Sequence, residues 1–412
     1  MLADLALAHN VWMFLALALP VPLVLHYSLG REIGHGYLIA AGVFFYLVLP
    51  FYAYGHGSYE DGPGEAIWAP AFEYMYRQST QVFEFLLAAA IAYGLGQLML
   101  WRVKRRPNSL DRPLNKHLLS LLLASLTLVC ATYTFLAREQ LFAGYSLTYR
   151  ADLMGPLATV NLTALLAYLN LQQWGQAPRL RVAYGMLLLA NSVVLLSMGG
   201  RLYVLAVLVG LALAHVNSPR GRRPAARLSA LLIILAGTAG LALVGLWRLG
   251  TEFSLQTFKQ IVLAEPVLTS ISLGSMHDCP TPGLFELPRN FLMSLLNFIP
   301  SAFFPGKEEF LLDHDPIAAC LDAPFGATHL GAAMLLNFGP LGSLLFIVAF
   351  SVLLKKLRGR GAPWWLHTYL CSLLPFMLFR DGFLIFNKAF FASGLLLAVL
   401  LVWASRLLDR PR

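Results

Sequence analysis

Long apolar runs separated by short polar stretches organise the sequence. Runs of the roughly 20 mostly apolar residues needed to cross a hydrocarbon core occur near 11–29, 37–54, 82–101, 117–136, 155–172 and 181–198. Further runs lie near 202–216, 228–247, 338–355, 364–380 and 383–403, with 202–216 the shortest. Backbone groups in lipid must be paired within their own segment, so these runs predict helices, about eleven in all (ten to twelve). No ten-residue alternation of apolar and polar positions with turn punctuation occurs, which argues against an outer-membrane barrel. The first run has no basic leader and no small-residue cleavage site, so it reads as a retained span. The expected fold class is an all-α polytopic membrane protein.

Composition supports this class. Charged residues are 12% of the 412, about half the share in a soluble domain, and 58% are hydrophobic. That balance excludes a disordered chain and a soluble multi-domain enzyme. The net charge of +9 would suggest a nucleic-acid partner if the basic residues formed a patch. Instead twenty of them fall in alternate short loops and the C-terminal tail, against only Glu32, Asp111 and Asp409. By the positive-inside rule that face is cytoplasmic, and no nucleic acid is implied. The opposite face is net acidic and holds the sizeable polar segments, 55–81, 137–154 and 248–337. The expected organisation is an N-terminal transmembrane bundle over 1–247, a large periplasmic loop over 248–337, and C-terminal transmembrane helices over 338–412. Within the loop, Phe291 to Phe304 is too short and too Pro-interrupted to span and reads as an amphipathic or re-entrant helix. No P-loop or dinucleotide glycine pattern is present, so no nucleotide cofactor is expected.

Cys130 and Cys371 fall inside expected spans, where thiols pack as small apolar groups. Cys279 and Cys320 share the long loop and can form a disulfide in an oxidising compartment. No Cys or His spacing resembles a zinc site. Asp313, His314 and Asp315 offer cation ligands, but the Asp-His-Asp-Pro run reads rather as a solvated turn. No metal is expected.

On a net-acidic face, arginines ask for an explanation. Arg201 follows Ser197-Met198-Gly199-Gly200 at a tight turn between spans, where a guanidinium fork suits phosphate oxygens and snorkelling is the alternative. Arg248 follows Trp247 at a span's outer end. Arg289, after Leu287-Pro288, opens the re-entrant segment, with Glu286 as a competing ion-pair partner. Arg380 ends a span beside Asp381, the alternative there being an ion pair at the membrane edge. Arg138 and Arg150, near Glu139 and Asp152, form a basic lip or a solvated loop. His329, in Gly326-Ala327-Thr328-His329-Leu330-Gly331, offers an imidazole at the membrane boundary that can accept a proton from a sugar hydroxyl. Lys388 lies deep in the last span and must be paired or line a cavity. Trp68, Tyr74, Tyr76, Tyr145 and Tyr149 can stack on sugars or anchor the chain at the interface.

Several of these stretches resemble a known family. Arg289-Asn290-Phe291, followed by Phe298-Ile299-Pro300-Ser301-Ala302-Phe303-Phe304-Pro305-Gly306-Lys307, resembles the large outer loop of bacterial oligosaccharide repeat-unit polymerases, the O-antigen polymerases of the Wzy type. Asn337-Phe338-Gly339-Pro340-Leu341-Gly342 resembles the Asn-Phe-Gly-x-x-Gly that opens their next span. The Gly-Gly-Arg turn at Arg201 is similar to their short arginine-bearing turn. Ser301 departs from the pattern, since an Arg is common there.

The resemblance implies a metal-independent, C-type glycosyltransferase of the bacterial inner membrane, without a cofactor. It would move a growing glycan from undecaprenyl diphosphate onto a new lipid-linked repeat unit, with a chain-length regulator and inner-membrane lipids as partners. In that role Arg201, Arg289, Arg248 and Arg380 bind the diphosphate, and His329 with Arg289 serves the transfer. An O-antigen ligase, which joins finished glycan to lipid A core, shares the architecture. A flippase or transporter is a different class, disfavoured by the asymmetric outer loop and the absence of repeat symmetry.

Overall fold

The computed structural model describes residues 32–55, 79–99, 112–142, 151–217, 254–276, 279–283, 286–299, 303–307, 327–358 and 362–409. It also describes 12, 14, 15, 19, 237, 239, 240, 243, 244, 309, 310, 320 and 321. Among these residues there are helices and no strands. Among the described residues seven continuous helical stretches are long and apolar enough to cross a membrane, and Arg201–Val216 is a shorter apolar helix. The expected spans at 11–29 and 228–247 lie largely outside the described residues.

In chain order the helices are α1 (His35–Val43), α2 (Leu49–Gly55), α3 (Ser79–Met99), α4 (Lys116–Leu136), α5 (Ala151–Trp174), α6 (Pro178–Met198) and α7 (Arg201–Val216). They continue as α8 (Leu255–Ser275), α9 (Arg289–Leu296), α10 (Leu330–Lys356), α11 (Trp364–Leu373), α12 (Met377–Arg380), α13 (Gly382–Asn387) and α14 (Leu397–Leu408). A π-helical turn, Phe44–Val48, joins α1 to α2, and another, Lys388–Leu396, joins α13 to α14.

Helix α5 is the axis of the bundle, packed against α4, α6, α7 and α11. Ala158, Ala164 and Ala167 let its neighbours approach closely, and Leu157, Leu165, Leu166 and Leu169 are fully enclosed. Asn161 and Asn191 bridge helices, to Ser192 Oγ at 3.3 Å and the Leu157 carbonyl at 2.8 Å. The outward positions are apolar instead: Leu87, Ile91 and Leu95 on α3, and Val182, Met186, Leu189 and Val193 on α6, are exposed along single helix faces. Such faces suit lipid rather than water as the surrounding solvent.

Helix ends that the charge distribution assigns to one face meet there. Asn217 at the end of α7 holds both backbone groups of Ile33, at 2.9 and 3.1 Å. Asn115 before α4 bonds Ser405 and Asp409 at the end of α14. Gln97 on α3 bonds Ser351 and the Lys355 ammonium on α10. Gln173 on α5 bonds Trp365 on α11.

The structure revises three expectations. The run at 364–380 is two helices, because Pro375 lacks an N–H and its ring crowds the Cys371 carbonyl, so the chain turns between Leu373 and Met377. The last span starts at Gly382 and runs to Leu408. The expected helix from Phe291 to Phe304 is α9, which starts at Arg289 and ends after eight residues. Where the 248–337 segment is described, α8 packs on α2 and the first π-turn, and α9 packs on α13 and α10. One core runs from Leu38 to Val402, and α3 pairs along α10. Cys279 and Cys320 form a disulfide across a separation of 41 residues.

Candidate functional site

Three irregular backbones converge where the charged residues lie. The first is the π-turn Phe44–Val48, which Pro50 favours by withholding the N–H that would bond the Tyr46 carbonyl. The second is α8, a continuous helix in which Pro266, after Glu265, removes one helical hydrogen bond. The third is the break at Arg380-Asp381-Gly382 between α12 and α13. Gly42 allows the close approach, because a Cβ there would lie 2.3 Å from the Phe379 ring.

Arg380 is the hub. Its Nε donates to Glu265 Oε1 at 2.5 Å and its Nη1 to Asp381 Oδ1 at 2.7 Å. The Asp381 side chain is 1% exposed, whereas Arg380 and Glu265 are 19% and 33% exposed, so the cluster opens on the arginine side. Burial pushes the Asp381 carboxyl up, against the pull of Arg380. Its Oδ2 has no hydrogen-bond partner. The backbone of Asp381 pairs in parallel with Thr328, bringing the His329 loop alongside.

His329 is the N-cap of α10, with its Nδ1 accepting from the Gly331 N–H at 3.0 Å and its own N–H donating to Ser272 Oγ at 2.7 Å. It is 4% exposed, and burial lowers its pKa to about 4. A ring that is neutral and accepts at Nδ1 carries its proton on Nε2. Nε2 has no partner, so in this arrangement His329 presents a donor rather than the base expected from the sequence. Phe379 lies between His329, with ring centroids 6.5 Å apart, and Tyr46, stacked at 6.4 Å. The Tyr46 hydroxyl is buried without a partner and within electrostatic reach of Glu265, Arg380 and Asp381. Together these groups offer an unpaired carboxylate oxygen, two unpaired hydroxyl or imidazole positions and a guanidinium.

The other expected residues are distributed around this cluster. Arg289 is exposed at the first turn of α9 and has no ion pair with Glu286. Its neighbours are fixed by Asn337, which accepts from the Phe291 N–H at 2.7 Å and donates to Asn290 Oδ1 at 3.3 Å. Phe291 then packs on Phe383, one residue beyond Gly382. Gly339 bends α10 at φ 63°, where a Cβ would meet the Pro282 carbonyl at 2.7 Å. Lys307 is buried, and its Nζ clasps the Ile299 carbonyl at 2.9 Å. Arg201 starts α7 after Gly199 at φ 97°, on helices that pack with α5 and α11 rather than in the Arg380 cluster. One turn into α7, Val204 begins an apolar cavity of about 410 Å³ that also borders Leu196, Val207 and Leu211. Lys388 is half-buried at the start of its π-turn. Arg138 is exposed, 4.0 Å from Glu139.

Arg248, Arg150, Trp68, Tyr74, Tyr76, Tyr145, Tyr149 and the Asp313-His314-Asp315 run lie outside the described residues. Among the described residues no group of three His, Cys, Asp or Glu stands close enough to hold a metal. Sequence reasoning missed Glu265 and Tyr46. The signal for Glu265 was a carboxylate inside the apolar run Ile261 to Leu268, masked by the Pro that follows it.

No protein-family model matches the chain, and no curated protein and no solved structure is similar to it.

Proposed function

We propose that the protein polymerises undecaprenyl-diphosphate-linked oligosaccharide repeat units, as a glycosyltransferase working on the membrane face opposite its basic loops. In a bacterial inner membrane that face is periplasmic. The observation that carries this reading is the Glu265–Arg380–Asp381 cluster, with Asp381 Oδ2, His329 Nε2 and the Tyr46 hydroxyl all buried and unpaired. Unpaired polar atoms in an apolar setting are costly, and a polar substrate that satisfies them recovers that cost. The likeness of the Arg289-Asn290-Phe291 and Asn337-Phe338-Gly339 stretches to O-antigen polymerases supports the choice of chemistry, and Asn337 ties the two together.

In this reading the acceptor sugar hydroxyl gives its proton to Asp381 Oδ2 as its oxygen bonds the anomeric carbon of the donor glycan. The bond from that carbon to the diphosphate oxygen breaks, and undecaprenyl diphosphate leaves with the electron pair. Charge grows on the leaving group, so guanidinium contacts strengthen as the reaction proceeds. Arg380 supplies them at the cluster. His329 Nε2–H and the Tyr46 hydroxyl orient sugar hydroxyls. The apolar cavity beside Val204 and Leu196 suits a segment of prenyl chain whose diphosphate is held near Arg201. A chain-length regulator is the expected protein partner.

A deletion strain tests the reading through its surface glycan. Loss of the ladder with retention of single repeat units on core supports a polymerase. Loss of all glycan from core, with lipid-linked polymer accumulating, indicates a ligase. Failure of lipid-linked units to reach the outer face indicates a flippase.

A further inference from the structure

A second pocket lies at the basic face and shares none of the unpaired polar groups of the Arg380 cluster. It is a cavity of about 510 Å³ between the start of α1, the end of α3 and the end of α10. That volume is within the range of about 300–1,000 Å³ typical of small-molecule sites. One end is polar. His35 is 4% exposed, and its Nδ1 has no partner. Its ring bonds the Gln97 side chain, whose amide nitrogen is already given to Ser351. Gln97 therefore accepts from Nε2–H, and Nδ1 is left as a buried acceptor without a partner, on a residue that lines the cavity. The Tyr93 hydroxyl, also lining it, is buried without a partner.

Arg358 completes the polar end. Its guanidinium lies against Gly34, with Nη1 2.9 Å from where a Cβ would stand. Its ion pair with Glu32 is long, 3.7 Å, and both side chains are more than a third exposed, so the pair holds it weakly. The rest of the wall is apolar, including Ala41 and Phe44. A cation, a phenol donor and a bare acceptor at the mouth of an apolar chamber match an amphiphile with an anionic group and an N–H or O–H donor beside it.

We propose that this cavity binds a phospholipid of the leaflet bordering the basic face, one whose headgroup carries a donor next to its phosphate. The phosphate takes Arg358 and the Tyr93 hydroxyl, the headgroup donor takes His35 Nδ1, and the first methylenes lie along Phe44. Phosphatidylethanolamine and phosphatidylglycerol have this chemistry; phosphatidylcholine lacks the donor. The proposal does not depend on the glycosyl-transfer reading.

The test is native mass spectrometry of the full-length protein released from nanodiscs holding equal amounts of phosphatidylethanolamine and phosphatidylcholine. Retention of phosphatidylethanolamine over phosphatidylcholine is expected. Arg358→Gln should reduce that retention about tenfold, the loss of one charge-assisted hydrogen bond. Ala41→Phe, which fills the chamber, should abolish it, and Lys356→Gln, a neighbouring charge that does not line the cavity, should not change it. Equal retention of the two lipids overturns the proposal, as does an unchanged preference in both Arg358→Gln and Ala41→Phe. Binding of soluble glycerophosphoethanolamine as tight as that of the lipid would mark a free-phosphate site and contradict the lipid assignment.

Discussion

Asp381 accepts from Arg380 through Oδ1 at 2.7 Å and leaves Oδ2 buried and unpaired. The pair is thus half-completed: one oxygen anchors the arginine and the other is left without a hydrogen bond. Glu265 holds the remaining side of the guanidinium.

Removing Arg380 should therefore cost more than removing either acid. Arg380→Gln strands two carboxylates, one fully buried, and should destabilise by about 3 kcal/mol. Glu265→Gln leaves the Asp381 pair intact and should cost under about 1 kcal/mol, since it is partly exposed. Thermal unfolding of the two variants in detergent checks the order, and equal costs would count against the hub role of Arg380.

The cap and donor roles of His329 can be separated. Asn at this position keeps an acceptor for the Gly331 N–H, so His329→Asn should fold normally but lose activity. His329→Ala loses the cap as well, at about 1 kcal/mol. Full activity in His329→Asn would remove the Nε2 donor from the mechanism.

Burial of His329 also predicts a pH dependence of stability. Its folded pKa of about 4 is below the ordinary 6.5, so the unfolded chain takes up a proton first as pH falls. Stability should be unaffected above pH 6.5 and should decline as pH drops toward 4, and His329→Asn should decline less. Activity should show no step near 6.5 from this residue. Unfolding midpoints of both proteins across that range check the sign.

The disulfide and the α10 bend brace the same segment. Joining Cys279 to Cys320 across 41 residues should contribute about 4 kcal/mol in the chain-entropy account. Cys279→Ser should lose most of this, and Cys320→Ser should add nothing further in the double variant. Gly339→Ala should cost about 1–3 kcal/mol, because φ 63° and the Pro282 carbonyl both oppose a Cβ. Additive losses from the two cysteine substitutions would contradict the observed pairing.

Much of the architecture was legible in hydrophobic periodicity. Helices α3 to α7 lie within a few residues of their apolar runs, because burial in lipid and burial in the core select the same residue types, whereas α10 starts at Leu330, eight residues before its run. Charge placement likewise anticipated which ends meet, as with Asn115 and Asp409. Helix α8 was read as loop because Glu252, Lys259 and Glu265 interrupt its run. Its Thr269, Ser270 and Ser272 look polar in sequence, yet each hydroxyl bonds a carbonyl of its own helix. The candidate site was legible in its basic and imidazole members, Arg380 and His329. Tyr46 and Glu265 were not, since proximity across helices more than 100 residues apart leaves no local pattern.

The most direct test is the glycan length made by purified protein from lipid-linked single repeat units. Wild type should yield a ladder, and Asp381→Asn, with wild-type elution on size exclusion, should leave only single units. A ladder from Asp381→Asn equal to that of wild type, or no polymer from active-folded wild type, would contradict the account.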